Sequence, residues 1–229
     1  MKKKLIGIPG WSVGETTFGV GKAYLEYIKQ YGEIIILTPR AYVPDLDLLV
    51  LPGGKDVING NEDDYSFKNS AGEHFLEIFD YYTLPKYIES NTPIYGICRG
   101  MQAIMKHFKI PLIQDIWWDH GYSKDENDTK VNTLNYLKYK HIQDAKNGTK
   151  TVGSWHHQGV SMASMINPNQ VDFDVIAYCG NYVDNRYNIV EFAEHKELPI
   201  VVEQSHPERN GAMLERFLFE KLLKVRENK

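Results

Sequence analysis

Short runs of consecutive apolar residues alternate along this chain with longer stretches in which apolar positions recur every three or four residues. Leu5 to Ile8, Ile34 to Leu37, Leu48 to Leu51 and Ile94 to Ile97 are apolar at successive positions, interrupted only by glycine. A strand with one solvated face alternates; a strand apolar throughout is buried on both faces, as inside a parallel sheet. Between these runs the spacing predicts helices over Thr17 to Tyr31 and Glu73 to Glu89. Strand and helix in this order imply an α/β fold, a mainly parallel central sheet with helices on both faces. Sheets of that kind place their chemistry outside the carboxyl ends of the strands.

The second half is less regular. Residues 117–150 are polar and rich in Asp, Asn and Lys, with Val131 to Tyr139 as one strand or hairpin. We read this segment as an excursion from the sheet within a single domain spanning residues 1–229. Strands are expected again at Val175 to Tyr178, Asn188 to Phe192 and Ile200 to Glu203. A closing helix from Gly211 to Arg226 carries Met213, Leu214, Phe217, Leu218 and Leu222 on one face.

Composition narrows the classes. With 26 Lys and Arg against 30 Asp and Glu, the formal net charge of −4 excludes a strongly basic nucleic-acid binder. Hydrophobic and charged fractions of 42% and 24% are those of an ordinary globular chain. No apolar run approaches the roughly 18 residues of a membrane span. The apolar stretch after Met1-Lys2-Lys3-Lys4 breaks at Pro9-Gly10, too early for a signal peptide. Two cysteines without Cys-x-x-Cys spacing exclude a disulfide framework and suggest neither a zinc nor a redox site. The expected compartment is the cytoplasm, with no membrane partner.

The segment Pro93-Ile94-Tyr95-Gly96-Ile97-Cys98-Arg99-Gly100-Met101-Gln102 carries the strongest chemical signal. An apolar strand runs into Gly-x-Cys-x-Gly and then into a helical pattern, the context of a nucleophile elbow with sulfur in place of oxygen. Flanking glycines suit a strained turn in which neighbouring backbone comes too close for a Cβ. At the first turn of a helix the dipole favours the thiolate, and the Arg99 N–H becomes an oxyanion donor. A small buried cysteine in a glycine-rich loop is the plainer alternative. For Arg99, the preferred reading is an exposed helix-start residue contributing only its backbone.

A thiolate attacking an amide needs a base, and the base an orienting group. Ile200-Val201-Val202-Glu203-Gln204-Ser205-His206-Pro207-Glu208 supplies both at the end of another apolar strand, with Pro207 fixing the chain so that Glu208 reaches back to His206. A surface histidine beside a carboxylate is the alternative reading. Leu51-Pro52-Gly53-Gly54-Lys55-Asp56 ends a third strand in paired glycines, whose N–H groups can approach a bound oxyanion.

These three pieces in this order resemble the class I glutamine amidotransferase superfamily, with its flavodoxin-like fold, and more narrowly its γ-glutamyl hydrolase branch. The resemblance runs from Leu5 to about Leu223. It implies that Cys98, His206 and Glu208 are a catalytic triad, that Gly54 and Arg99 are the oxyanion donors, and that Gly53 and Gln102 help hold a γ-glutamyl substrate. Arg99 after the cysteine, Asp56-Val57, Gln114-Asp115-Ile116 with His120, and Ser154-Trp155-His156-His157-Gln158 are similar to the hydrolase branch. The last segment is similar to a loop that contacts the glutamyl α-amino and α-carboxyl groups, which makes Trp155, His156, His157 and Gln158 substrate-binding candidates. Adjacent His156 and His157 as metal ligands is the weaker reading, since neighbours diverge and no third ligand is evident. The chain departs from the branch at Ser205, where a bulky aromatic is usual, at His107-Phe108-Lys109-Ile110, where Gly-Gly is common, and around Asn69 to Glu73, which lacks an Arg-Asp pair.

The expectation is therefore a hydrolase that cleaves the γ-glutamyl amide bond of a small metabolite through a cysteine thioester, with no metal or organic cofactor. The leaving group is a polyamine, γ-aminobutyrate, a nucleotide phosphoramidate or ammonia. The alternative is a glutaminase subunit that passes ammonia to a separate synthase; a third class is a binding module with a vestigial triad. No nucleic-acid partner is expected, and a homodimer is compatible with a sequence that dictates no oligomeric state. Trp117 and Trp118 stand either as walls of the leaving-group pocket or as packing.

Overall fold

The computed structural model describes residues 3–12, 17–57, 74–116, 131–139, 151–166, 171–180, 184–210 and 213–225. Strands β1 (Leu5–Pro9), β4 (Glu33–Leu37), β5 (Leu48–Leu51) and β6 (Ile94–Ile97) form where the apolar runs lie. Between β1 and β4 come the two-residue strands β2 (Trp11–Ser12) and β3 (Phe18–Gly19) and helix α1 (Lys22–Ile28). Helices α2 (His74–Tyr82) and α3 (Leu84–Glu89) precede β6, and α4 (Arg99–His107) follows it. The remainder is β7 (Val131–Tyr136), β8 (Thr151–Gly153), α5 (Met162–Met165), β9 (Phe173–Cys179), β10 (Ile189–His195), β11 (Ile200–Glu203), α6 (Pro207–Asn210) and α7 (Met213–Leu223).

Nine strands make one sheet in the order β4-β1-β5-β6-β11-β10-β9-β7-β8. The first five run parallel, and β10, β9, β7 and β8 extend them antiparallel. Helices cover both faces. Tyr24, Tyr27 and Ile28 of α1 and Leu214, Leu218, Phe219 and Leu222 of α7 pack on Ile6, Ile8, Leu48, Val50, Tyr95 and Ile97. Phe79 of α2, Tyr87 of α3 and Met101, Ile104 and Met105 of α4 pack on Leu49, Leu51, Ile94 and Val202 from the other side. Successive residues of β5 and β6 thus enter opposite layers, which is why neither strand alternates with polar residues.

Three expectations change. The helix expected over Thr17 to Tyr31 shrinks to α1, because Phe18–Gly19 pairs with Trp11–Ser12 and Gly21 caps the helix in an extended conformation; glycine favours such an end over a helix interior. The stretch from Glu73 to Glu89 is two helices. Pro85 cannot donate to the preceding turn, so the chain breaks at Thr83, whose Oγ1 donates instead to the Pro39 carbonyl at 2.9 Å. Val131 to Tyr136, read as part of an excursion, joins the sheet between β9 and β8; Trp117, Trp118, His120 and Asn69 to Glu73 lie outside the described residues.

Phe219 is the keystone of the layer under α7. Its ring is fully buried against Tyr27, Tyr31 and Tyr95, with centroids 5.6, 4.4 and 5.3 Å away. Phe219→Ala leaves a cavity where three rings meet and lowers stability by about 3–5 kcal/mol. Equilibrium denaturation of the two proteins measures this; a loss below about 1 kcal/mol would mean that the layer collapses freely to refill the space.

Candidate functional site

The site grows from the β6 to α4 junction. Cys98 leaves β6 with φ 50° and ψ −104° and caps the start of α4. A non-glycine residue at positive φ is a strained position that the surroundings must enforce. Two contacts do so. The Cys98 N–H donates to the Glu203 carbonyl at 2.7 Å, tying the turn to the end of β11. Gly100 lets the helix approach β5 so closely that a Cβ there would stand 2.3 Å from the Leu51 carbonyl oxygen.

Past Glu203 the β11 chain delivers Gln204, Ser205 and His206 to the same edge. His206 lies beside Cys98, its Cε1 and the Cys98 Cβ standing 2.9 and 3.5 Å from where a Cβ on Gly53 would sit, and it holds Glu208 Oε1 at 2.6 Å from Nδ1. Burial alone would lower the imidazole pKa, but the Cys98 thiolate and the Glu208 carboxylate outweigh it and push the group up to about 10. The His206 ring therefore stands as imidazolium beside the Cys98 sulfur. Gln204 Nε2 adds a second donor toward Cys98 Sγ at 3.5 Å.

Gly53 sits where no side chain would fit: a Cβ would fall 2.6 Å from the Tyr24 hydroxyl and 2.9 Å from His206 Cε1. Its N–H donates to Tyr24 Oη at 2.9 Å and so is already committed, which leaves Gly54 as the donor the paired glycines can offer. Tyr24 Oη also lies 3.4 Å from His206 Nδ1, on the side of the ring that holds Glu208. Burial, then the charges of Glu208 and Cys98, raise its pKa well above the ordinary phenol value, so it stays a neutral hydroxyl. Arg99, expected to be exposed, is buried at 2% exposure, and its guanidinium pairs with Asp80 of α2 at 2.7 Å while Cδ packs over Gly54. A long charged side chain at this helix start reaches a carboxylate under the neighbouring helix instead of water.

The Ser154 to Gln158 segment closes one side. Gln158 is a strut: its Oε1 accepts from the Val57 N–H at 3.0 Å, and its Nε2 donates to the Val57 carbonyl at 3.0 Å and to Gln114 Oε1 at 2.6 Å. His157 Nε2 meets Asp56 Oδ1 at 2.9 Å and Nδ1 meets the Gln114 carbonyl at 3.1 Å. Both partners are acceptors, so both ring nitrogens carry hydrogen, in keeping with a pKa raised chiefly by the Asp56 hydrogen bond. His156 Nδ1 donates to the Gln158 carbonyl at 2.8 Å. Gln158 and His157 thus fix the loop after Gly53-Gly54, and His156 braces the Gln158 backbone. Gln102 commits both amide hydrogens, to the Gln158 carbonyl at 3.2 Å and Gln204 Oε1 at 3.3 Å, and can present only its Oε1. Ser154 Oγ and Trp155 Nε1, by contrast, are buried without a hydrogen-bond partner among the described residues.

Of the departures, Ser205 donates to Glu203 Oε1 at 3.3 Å, and the Tyr95 hydroxyl donates to the same carboxylate. Phe108 packs on Phe173 and His195, at the far end of α4 from the site. His156 and His157 serve separate partners, and among the described residues no three metal-ligating side chains converge. Tyr24, Gln204 and Asp80 are site residues that sequence reasoning missed. Tyr24 lies on the apolar stripe of α1 with Tyr27 and Ile28 and reads there as core.

The Peptidase C26 family profile matches residues 11–208, with the elbow and the His206 segment inside the match. The chain belongs to the Peptidase C26 family. It is 26% identical over 227 residues to the glutamine amidotransferase-like protein YvdE of Lactococcus lactis subsp. lactis (strain IL1403), covering 89% of each chain. Its fold is similar to that of a GMP synthase component from Thermoplasma acidophilum, with a TM-score of 0.62 at 21% identity over 98% of this chain and 94% of that one. A glutamine amidotransferase of Thermotoga maritima gives 0.56 at 12% identity over 100% and 86%. The fold is that of the class I glutamine amidotransferases, and this Peptidase C26 chain is an amide-bond hydrolase of the glutamine amidotransferase type. No described helix is long and apolar enough to cross a membrane.

Cys98 and Cys179 provide an internal contrast. Cys179 is buried in β9, and burial followed by the Glu191 charge drives its thiol pKa far up. At pH 7 iodoacetamide therefore labels Cys98 and leaves Cys179 unmodified until the chain is unfolded. Peptide mapping by mass spectrometry reads both sites; equal labelling would remove the claim that the elbow activates its sulfur.

Proposed function

We propose that this Peptidase C26 chain is a stand-alone γ-glutamyl amide hydrolase that acts through a Cys98 thioester. The reading rests on the Cys98 and His206 pair at one sheet edge, with Glu208 behind the imidazole at 2.6 Å. Cys98 Sγ attacks the γ-carboxamide carbon, and the N–H groups of Gly54 and Arg99 receive the oxyanion. His206 gives its proton to the leaving nitrogen, the C–N bond breaks, and an amine departs. Water then loses a proton to His206, attacks the thioester and releases glutamate, restoring thiolate and imidazolium.

The residues around this pair divide the remaining work. Tyr24 holds Gly53 by its N–H and stands against His206 Nδ1, so donors and base keep their spacing as charge moves. Asp80 holds Arg99 so that its backbone N–H faces the carbonyl. Ser154 Oγ and Trp155 Nε1, buried and unsatisfied among the described residues, supply polar contacts for the glutamyl head group, with Gln102 Oε1 as an acceptor for its amine. Unpaired buried polar atoms are costly and are commonly satisfied by a ligand. The reading requires neither metal nor organic cofactor, and it takes the chain as a single cytoplasmic domain that needs no nucleic acid or synthase.

Glutamate release from glutamine and from a panel of γ-glutamyl amides tests it, with Cys98→Ala alongside. The expected outcome is Cys98-dependent cleavage of a conjugate with glutamine poorly used; preferred use of glutamine would move the chain to the ammonia-donor class. The same assay yields a pH profile. Because the His206 pKa is raised, the proton donor is present through neutral pH, and kcat/KM falls as pH rises through about 10. A loss centred near the ordinary imidazole value of about 6.5 would contradict the raised His206 imidazolium.

A further inference from the structure

Arg209 stands at the rim of this site with its charge unspent. It lies in α6, three residues past His206, whose carbonyl accepts the Arg209 N–H at 3.1 Å. Its guanidinium carbon is 4.7 Å from the centre of the Trp155 ring, and that ring meets the His206 ring edge-on at 5.6 Å and 86°. The guanidinium thus lies no more than about 10 Å from the imidazole centre. Trp155 is itself pinned, since a side chain at Gly153 would strike its ring at 2.3 Å.

Arg40 also stacks on an aromatic ring, that of Tyr82 at 4.6 Å, but away from this site, and three further arginines are spent on carboxylates. Arg99, Arg186 and Arg216 each hold a carboxylate, from Asp80, Asp184 and Glu220. Arg209 is exposed and pairs with no carboxylate among the described residues. Stacking on an indole fixes the plane of a guanidinium while leaving its edge donors open, an arrangement suited to two-point binding of a carboxylate or a phosphoryl group. A cation so held beside the group that protonates the leaving amine lies where the rest of the leaving group must pass.

We propose that Arg209, oriented by Trp155, is a specificity residue that selects γ-glutamyl conjugates whose leaving amine carries an anionic group, carboxylate or phosphoryl, on a short linker. This rests on the γ-glutamyl hydrolase reading and deepens it. A polyamine leaving group would bring like charge to the guanidinium and is disfavoured.

The test uses γ-glutamyl conjugates of matched length, formed with 4-aminobutanoate, 3-aminopropylphosphonate, butylamine and 1,4-diaminobutane, against the native chain, Arg209→Gln and Arg209→Lys. The native chain is expected to favour an acidic conjugate over the butylamine one by about tenfold or more in kcat/KM, chiefly through KM. Arg209→Gln removes most of that preference and Arg209→Lys restores part of it. The carboxylate and phosphonate arms identify which anion is bound, and either one winning supports the proposal. Cleavage of the butylamine or diamine conjugate as efficiently as the acids, or a preference that survives Arg209→Gln, overturns the proposal and leaves the hydrolase standing. Glutamate released from none of the four overturns the hydrolase reading, and the proposal with it.

Discussion

The last residue of β11, Glu203, lies in register with the last residue of β6, Ile97, and its carbonyl accepts the N–H of Cys98 at 2.7 Å. From this one parallel pairing the rest of the site follows. It holds Cys98 in a positive-φ turn that the residue would not adopt alone, and it forces Gln204, Ser205 and His206 to emerge at the same edge. A slip of one residue in either strand would send Cys98 and His206 to opposite faces. The parallel half of the sheet, buried by α1 and α7 on one side and α2 to α4 on the other, gives that register its rigidity.

Charge is concentrated where water is scarce. The Cys98 sulfur, the His206 imidazolium and the Glu208 carboxylate form one buried row, and Tyr24 joins it as a neutral hydroxyl. Buried charges are tolerated when each is paired, and removal of one partner strands the other. The Asp80 and Arg99 pair follows the same rule one layer out, and the His157 and Asp56 pair does so at the rim. What these pairs have in common is attachment: each ties the Gly53-Gly54 loop or the elbow to a different element, so the backbone donors are set before a substrate arrives. Arg209 is the exception, a cation fixed by an aromatic face and left with open donors.

Much of this was legible in the sequence because the signals were local. Apolar runs marked the strands β1, β4, β5 and β6, and glycines around Cys98 marked a turn whose positive φ the structure then carries. His206 and Glu208 are two residues apart, so their contact needed only the Pro207 turn. Features that depend on distant partners were hidden. Nothing in the α1 stripe separates Tyr24 from its core neighbour Tyr27, and nothing in Arg99 announces Asp80, nineteen residues earlier on another helix. Gln158 reads as a ligand group but is consumed by the Val57 backbone. The polar tract around Val131 concealed that its strand joins the sheet, because the outer neighbour that completes the pairing supplies only three residues.

The account stands or falls on covalent chemistry at Cys98. Rapid acid quench of the protein during turnover of a γ-glutamyl amide, followed by mass spectrometry of the intact chain and its peptides, looks for that chemistry directly. The account predicts a species heavier by one glutamyl group, located on the peptide containing Cys98, formed before glutamate appears and absent in Cys98→Ala. Glutamate released at full rate with no such adduct, or released by Cys98→Ala, would contradict it.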